Sequence, residues 1–173
     1  MSDTTERATR LIFTYGNPSR GDDGLGPAVY ERLQAMQQEN DLPNDIELLT
    51  DYQLQIEHAV DLEQRDAVLF VDAGVSCPAP YSFQQLLAVQ DSSYTTHAMS
   101  PAAVLAVYRQ INHEEPAAAY LLTIRGYEFA LGQPLSRQAE KNLLSALNFI
   151  KSLLAASTTQ WDKSITSDAK QCR

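Results

Sequence analysis

The stretch LIFTYGNPSRGDDGLG, Leu11–Gly26, decides the fold of this chain. Its first five residues are predominantly apolar on both faces of an extended segment, which is typical of a buried central strand. Four glycines follow within eleven residues and allow tight turns and the close approach of another molecule. Their spacing matches neither the dinucleotide-binding pattern nor the lysine-containing mononucleotide loop, and the adjacent Asp22 and Asp23 would repel a phosphate. By itself, the loop is also compatible with a surface turn that carries solvated aspartates.

Outward from this stretch, short apolar runs alternate with amphipathic helical patterns, as a layered α/β fold requires. Helices are predicted from near Pro27, from about Gln55 to Leu62, after Ser100–Pro101 and from Ser136. Strands are predicted at Leu11–Tyr15, Ile46–Thr50, Val68–Val71, Tyr81–Val89 and Tyr120–Ile124. The fourth of these strands has weaker β-propensity and is expected at an edge. The pattern predicts a mostly parallel sheet with helices on both faces.

Length and composition limit the class of protein. A chain of 173 residues corresponds to one domain, and we expect that domain over residues 1–156. A polar, poorly ordered tail is expected over residues 157–173, in which Trp161 docks only weakly. The net charge of −9 argues against a nucleic-acid partner, because nucleic-acid affinity depends on many basic contacts.

The expected location is the cytoplasm. No apolar run approaches the roughly 18 residues that a membrane span needs. The first ten residues lack the apolar middle of a secretion signal. The two cysteines, Cys77 and Cys172, are consistent with a reduced protein. A monomer is the default expectation.

Three polar groups are predicted to meet at the ends of the strands, where open parallel sheets bind their ligands. Asp22 and Asp23 lie in the loop after the first strand, Asp72 ends the third strand, and His97 precedes a predicted helix start. Each has a simpler interpretation by itself, because an aspartate at a strand end often only caps a turn. The other two histidines, His58 and His113, are interpreted as having no catalytic role.

Two carboxylates and one imidazole suit a borderline divalent transition ion such as nickel or zinc. Three protein ligands leave coordination positions open for a substrate. Magnesium would prefer oxygen ligands and water, so a magnesium-dependent hydrolase built on Asp22, Asp23 and Asp72 is an alternative. Nucleophilic catalysis has less support, because Cys77 has no evident base and no Gly-x-Ser-x-Gly elbow is present.

Four motifs together resemble those of the hydrogenase maturation proteases, which trim the C-terminal extension from the large-subunit precursor of nickel-iron hydrogenases. In chain order they are GNPSRGDDGLG, FVDAG, HAMSP and the pattern from Gly126 through Gly132 to Leu135–Ser136. The resemblance extends over roughly residues 11–155. It implies a twisted, mainly parallel five-strand sheet between helices, a three-layer α/β/α fold that agrees with the pattern of strands and helices.

The resemblance implies that Asp23, Asp72 and His97 bind a metal and form the catalytic site. Some family members have a glutamate at the position of Asp23, so the participation of Asp22 stays open. It further implies that the metal is nickel, carried by the precursor and recognised as a sign of complete assembly. Either the metal polarises the peptide carbonyl or activates water, or a carboxylate acts as a general base. The other alternative is a nickel-binding assembly factor without hydrolytic activity.

Overall fold

A five-strand sheet forms the centre of the molecule, whose computed structural model describes residues 8–88 and 99–166. The strands are β1 (Arg10–Tyr15), β2 (Ile46–Asp51), β3 (Ala67–Gly74), β4 (Tyr81–Leu86) and β5 (Ala118–Arg125). Their spatial order is β2-β1-β3-β5-β4, and only the pairing of β4 with β5 is antiparallel. The predictions of a mostly parallel sheet and of an edge position for the fourth strand are therefore confirmed.

Helices connect the strands at the predicted places. The α-helices are α1 (Leu25–Gln38), α2 (Pro101–Asn112) and α3 (Arg137–Ala155). Shorter 3-10 helices occupy Gly21–Gly24, Ile56–Leu62 and Thr158–Ser164. The hydroxyl groups of Ser100 and Ser136 cap α2 and α3, because each accepts a hydrogen bond from the backbone amide three residues further along the chain. No helix among the described residues combines the length and the apolar character that crossing a membrane would take.

Each face of the sheet has its own core, because successive side chains of a strand point to opposite faces. One core joins Ile12, Leu69 and Leu122 to the buried sides of α1 and α3. The other joins Phe13 and Phe70 to α2 and to the 3-10 helix that follows β2. The sheet is thus enclosed between two helical layers, and the three-layer α/β/α prediction is confirmed.

The C-terminal segment differs from the predicted poorly ordered tail. Thr158–Ser164 forms a 3-10 helix, and the side chain of Trp161 within it is 0% exposed. The indole Nε1 donates a hydrogen bond to the carbonyl oxygen of Leu153 at 2.9 Å. The prediction is wrong for residues 157–166, because one buried aromatic ring outweighs the polar composition around it. Residues 167–173 lie outside the described residues.

Trp161→Ala is expected to lower the free energy of unfolding by about 3–5 kcal/mol, since it removes a fully buried ring and leaves a cavity. Urea denaturation followed by circular dichroism measures the change. Lys163→Ala is the matched control, because Lys163 is exposed on the same 3-10 helix and its loss should cost less than about 0.5 kcal/mol. Similar stabilities of the two variants would contradict the docking of this segment.

Candidate functional site

Polar side chains line the carboxyl ends of four strands on one face of the sheet. Asp51 ends β2 in register with Tyr15 at the end of β1. The register of β1 with β3 sets Tyr15 beside Asp72, and Asp72 is in register with Thr123 of β5. Residues in register on parallel strands share a face, so these side chains form one row. The row lies at the edge where open α/β sheets bind ligands.

The carboxyl group of Asp72 is at the middle of this row. Burial raises the pKa of Asp72 to about 7, and the nearby negative charge of Asp23 also raises it. Hydrogen bonds from the amide of Ala73, at 2.7 Å, and from the hydroxyl of Tyr15 act in the opposite direction. A carboxylate whose charge is disfavoured by burial and by a second carboxylate nearby is a site where a bound cation would be stabilised.

The hydroxyl group of Tyr15 serves this site as a hydrogen-bond donor. Burial raises the pKa of Tyr15 well above its ordinary range, and the charge of Asp72 adds to the effect. The phenol therefore stays protonated and donates to the Asp72 carboxylate. The sequence analysis missed Tyr15, although it is the last residue of the predicted first strand.

The loop after β1 folds back so that Asp23 approaches the strand ends. The Asp23 carboxylate accepts a hydrogen bond from the amide of Asn17 at 2.8 Å. Gly16 has a φ of +145°, and a β-carbon at this position would lie 2.1 Å from the carbonyl oxygen of Asp23. Only glycine permits both this backbone conformation and this approach. The first glycine of the loop therefore allows Asp23 to come near Asp72.

Asp22 has a different role from its neighbour in sequence. It is 0% exposed and accepts hydrogen bonds from the amides of Tyr127, Glu128 and Ser136 and from the Ser136 hydroxyl, at 2.7–2.9 Å. Burial alone would raise the pKa of Asp22, but these donors lower it below its ordinary value. Its oxygens are already engaged, so the alternative magnesium site lacks one of its three ligands.

His97, the third predicted ligand, lies outside the described residues. The structure therefore brings together Asp23 and Asp72, and the participation of His97 stays a prediction. Among the residues that the structure describes, no group of three or more histidine, cysteine, aspartate or glutamate side chains is arranged to hold a metal ion.

A second polar pair, Asp51 and His58, lies at the same edge. The His58 Nδ1 accepts a hydrogen bond from the amide of Gln55 at 2.9 Å, and its Nε2 lies 3.2 Å from the Asp51 carboxylate. Because Nδ1 is an acceptor, the ring proton is on Nε2, and this N–H donates a hydrogen bond to the Asp51 carboxylate. The ring packs edge-on against Phe13, at 4.6 Å between centroids. His58 thus orients Asp51. The sequence analysis did not select Asp51, although its place at the end of a predicted strand could have identified it as a candidate.

The third histidine is remote from this row. His113 caps the C-terminal end of α2 in a left-handed conformation, with a φ of 54°. α2 leads into β5, which begins level with the first residue of β3. His113 therefore precedes the amino ends of the parallel strands, whereas the row of polar side chains lies at their carboxyl ends. This placement is consistent with the interpretation that His113 has no catalytic role.

Comparisons with known proteins identify the fold. No protein-family model matches the sequence, and no curated protein matches it. The NiFe hydrogenase maturation protease HycI from Thermococcus kodakarensis is 18% identical with a TM-score of 0.66, covering 88% of this chain and 96% of that chain. The hydrogenase maturating endopeptidase HybD from E. coli is 23% identical with a TM-score of 0.64, covering 83% and 91%.

A third solved structure, the hydrogenase 2 maturation peptidase from a Thaumarchaeota archaeon, is 23% identical with a TM-score of 0.62. The match covers 88% of this chain and 100% of that chain. The chain therefore has the fold of proteins named hydrogenase maturation proteases, over nearly their whole length. At these identities the likeness is one of fold.

Asp22→Asn is expected to lower the free energy of unfolding at pH 7 by about 2–4 kcal/mol, because an amide cannot accept all of the donors around the carboxylate. The folded-state pKa of Asp22 is lowered, so its stabilisation is present above about pH 4 and is lost as the pH falls. The difference from the wild type should therefore shrink at pH 3. Urea denaturation at both pH values measures it, with the exposed Asp41→Asn as the matched control.

Asp72→Asn has the opposite pH dependence in the metal-free protein. The folded-state pKa of about 7 lies above the ordinary value, so ionisation of Asp72 opposes folding and stability is lost as the pH rises toward 7. Relative to the wild type, the variant should gain up to a few kcal/mol between pH 4 and pH 8. Urea denaturation at the two pH values tests this. An equal pH dependence of both proteins would show that Asp72 is not perturbed.

Proposed function

We propose that this protein is an endopeptidase that removes the C-terminal extension from the large-subunit precursor of a nickel-iron hydrogenase. The observation that supports it most is the approach of Asp23 and Asp72 at the strand ends, in the fold of proteins named maturation proteases. The proposal also relies on the loop and strand motifs, which resemble those of the hydrogenase maturation proteases. The protein would act as a monomer in the cytoplasm.

Nickel enters this proposal as part of the substrate. Asp23 and Asp72 would contribute oxygen ligands and His97 a nitrogen ligand, a mixed set that suits a borderline ion. A cation between the two aspartates would relieve the repulsion that raises the pKa of Asp72 and would favour its ionised form. The hydroxyl of Tyr15 would keep the Asp72 carboxylate oriented through its hydrogen bond.

Binding of the substrate-borne nickel would place the scissile peptide bond at the strand ends. Positioning of this kind converts recognition of a complete metal centre into a condition for cleavage. Two routes lead from there to hydrolysis. The nickel would lower the pKa of a water molecule that attacks the carbonyl, or a carboxylate of the site would act as a general base and take the proton from that water.

The test is incubation of the protein with nickel-loaded and nickel-free precursor, followed by mass spectrometry of the large subunit. The wild type should shorten only the nickel-loaded precursor. Asp23→Ala, Asp72→Ala and His97→Ala should each slow cleavage by on the order of 100-fold or more, because ligand loss removes several kcal/mol of transition-state stabilisation.

Matched controls separate this result from general damage. Asp41→Ala and His113→Ala replace the same residue types at exposed positions outside the row of polar side chains and should cleave like the wild type. Undiminished cleavage by Asp72→Ala and His97→Ala would contradict the proposed site. Complex formation with the nickel-loaded precursor without loss of mass would instead identify an assembly factor without hydrolytic activity.

A further inference from the structure

The last residue of β5, Arg125, lies close to the row of polar strand ends. It is in register with Gly74 of β3, two residues beyond Asp72 on the neighbouring strand. Its Nη1 donates a hydrogen bond to the carbonyl oxygen of Cys77 at 2.9 Å. Its guanidinium carbon lies 5.2 Å from the centre of the Tyr127 ring. These two contacts hold the guanidinium group in one orientation.

The Nε of Arg125 has no hydrogen-bond acceptor. Among residues 8–88 and 99–166 it is the one buried side-chain nitrogen or oxygen without a partner. The buried arginines Arg10 and Arg65 differ from it, because Asp45 and Glu47 respectively neutralise them. No carboxylate in the described part of the chain pairs with Arg125, although acidic residues outnumber basic ones by nine in the sequence. Within the described part of the chain, an arginine near the candidate site is thus left without an anion.

The contact with Cys77 occupies only one of the three nitrogens of the Arg125 guanidinium group. Nη1 is engaged, whereas Nε and Nη2 have no acceptor among the described residues. Nε and one terminal nitrogen form a fork that matches the two oxygens of a carboxylate. A carboxylate bound there would satisfy the buried Nε, a donor that no described residue satisfies and that is costly to leave unpaired.

We infer that Arg125 is a specificity-determining residue that binds a carboxylate of the precursor peptide through its Nε–Nη2 edge. The inference rests on the proposed function, because a peptide substrate carries its negative charges on acidic side chains and on its C-terminal carboxylate. With Asp23 and Asp72 on neighbouring elements, the edge then presents negative charge to the nickel and positive charge to the carboxylate. Charges of opposite sign at two places allow the peptide only one orientation.

The experiment compares steady-state cleavage of the nickel-loaded precursor by the wild type, Arg125→Gln and Arg125→Lys. Arg125→Gln should raise KM about 10- to 100-fold with little change in kcat, because it removes a charge-assisted contact of the bound substrate. Arg125→Lys retains the charge but not the fork, so its KM should rise less. Arg109→Gln is the matched control, since Arg109 is exposed on α2 and pairs with Glu115.

Precursor variants identify the carboxylate. One arm replaces the acidic residues of the extension by their amides, and the other uses an extension that ends in a carboxamide. The change that removes the bound carboxylate should raise the KM of the wild type as much as Arg125→Gln does. It should have little further effect on Arg125→Gln, because the two changes remove the same interaction. An unchanged KM for both Arg125 variants, or full additivity in both arms, overturns the inference.

The remaining outcomes separate the inference from the proposed function. Cleavage by the wild type with an unchanged KM in both Arg125 variants overturns the inference alone. If the wild type does not cleave, a fluorescein-labelled peptide with the sequence of the extension is tested by anisotropy. Binding to Arg125→Gln that is about 10-fold weaker than to the wild type supports the inference, and equal or absent binding overturns it. If Arg125→Gln does not fold, Arg125→Lys decides each comparison.

Discussion

The buried carboxylate of Asp22 is the interaction on which the arrangement of the site depends. Its four hydrogen bonds join the loop after β1 to the segment that leads from β5 into α3. The fit leaves little room, because a β-carbon on Gly126 would lie 2.8 Å from the Asp22 β-carbon. Fixing Asp22 also fixes the backbone of Asp23, the next residue. The position of one candidate ligand is therefore determined by a neighbour whose own carboxylate oxygens already accept hydrogen bonds.

Asp22 and Asp72 have different roles because their environments differ. Asp22 is surrounded by donors, which lower its pKa and keep it a charged structural anchor. Burial is the main cause that raises the pKa of Asp72 to about 7, the nearby Asp23 carboxylate adds to it, and Asp72 has fewer donors than Asp22 to offset it. A group that ionises near neutral pH responds strongly to a bound cation or to a proton. In the proposed function, the unfavourable charge at Asp72 is a local cost of a site for a metal-bearing substrate. The two cores of the sheet stabilise the fold that carries it.

At the carboxyl ends of the strands, negative and positive side chains occupy different places. Asp51, held by His58, and the pair Asp23 and Asp72 supply negative charge, whereas Arg125 supplies a positive charge at the end of the next strand. A protein of net charge −9 has no general attraction for acidic peptides. An arginine whose buried nitrogen has no partner among the described residues is therefore better suited to one specific contact than to long-range attraction.

The sequence alone determined the layered fold, since apolar runs and capped amphipathic helices fix each element locally, and it identified the adjacent Asp22 and Asp23 together with Asp72 as ligand candidates from their places after strands. It did not distinguish Asp22 from Asp23, because the difference lies in amides more than a hundred residues away in the chain. For the same reason it missed the support that Tyr15 gives to Asp72, the Nε of Arg125 that has no partner among the described residues, and the full burial of Trp161. Hydrogen-bond partners and burial come from residues distant in sequence, so only the tertiary structure decided which polar groups are structural and which are available to a substrate.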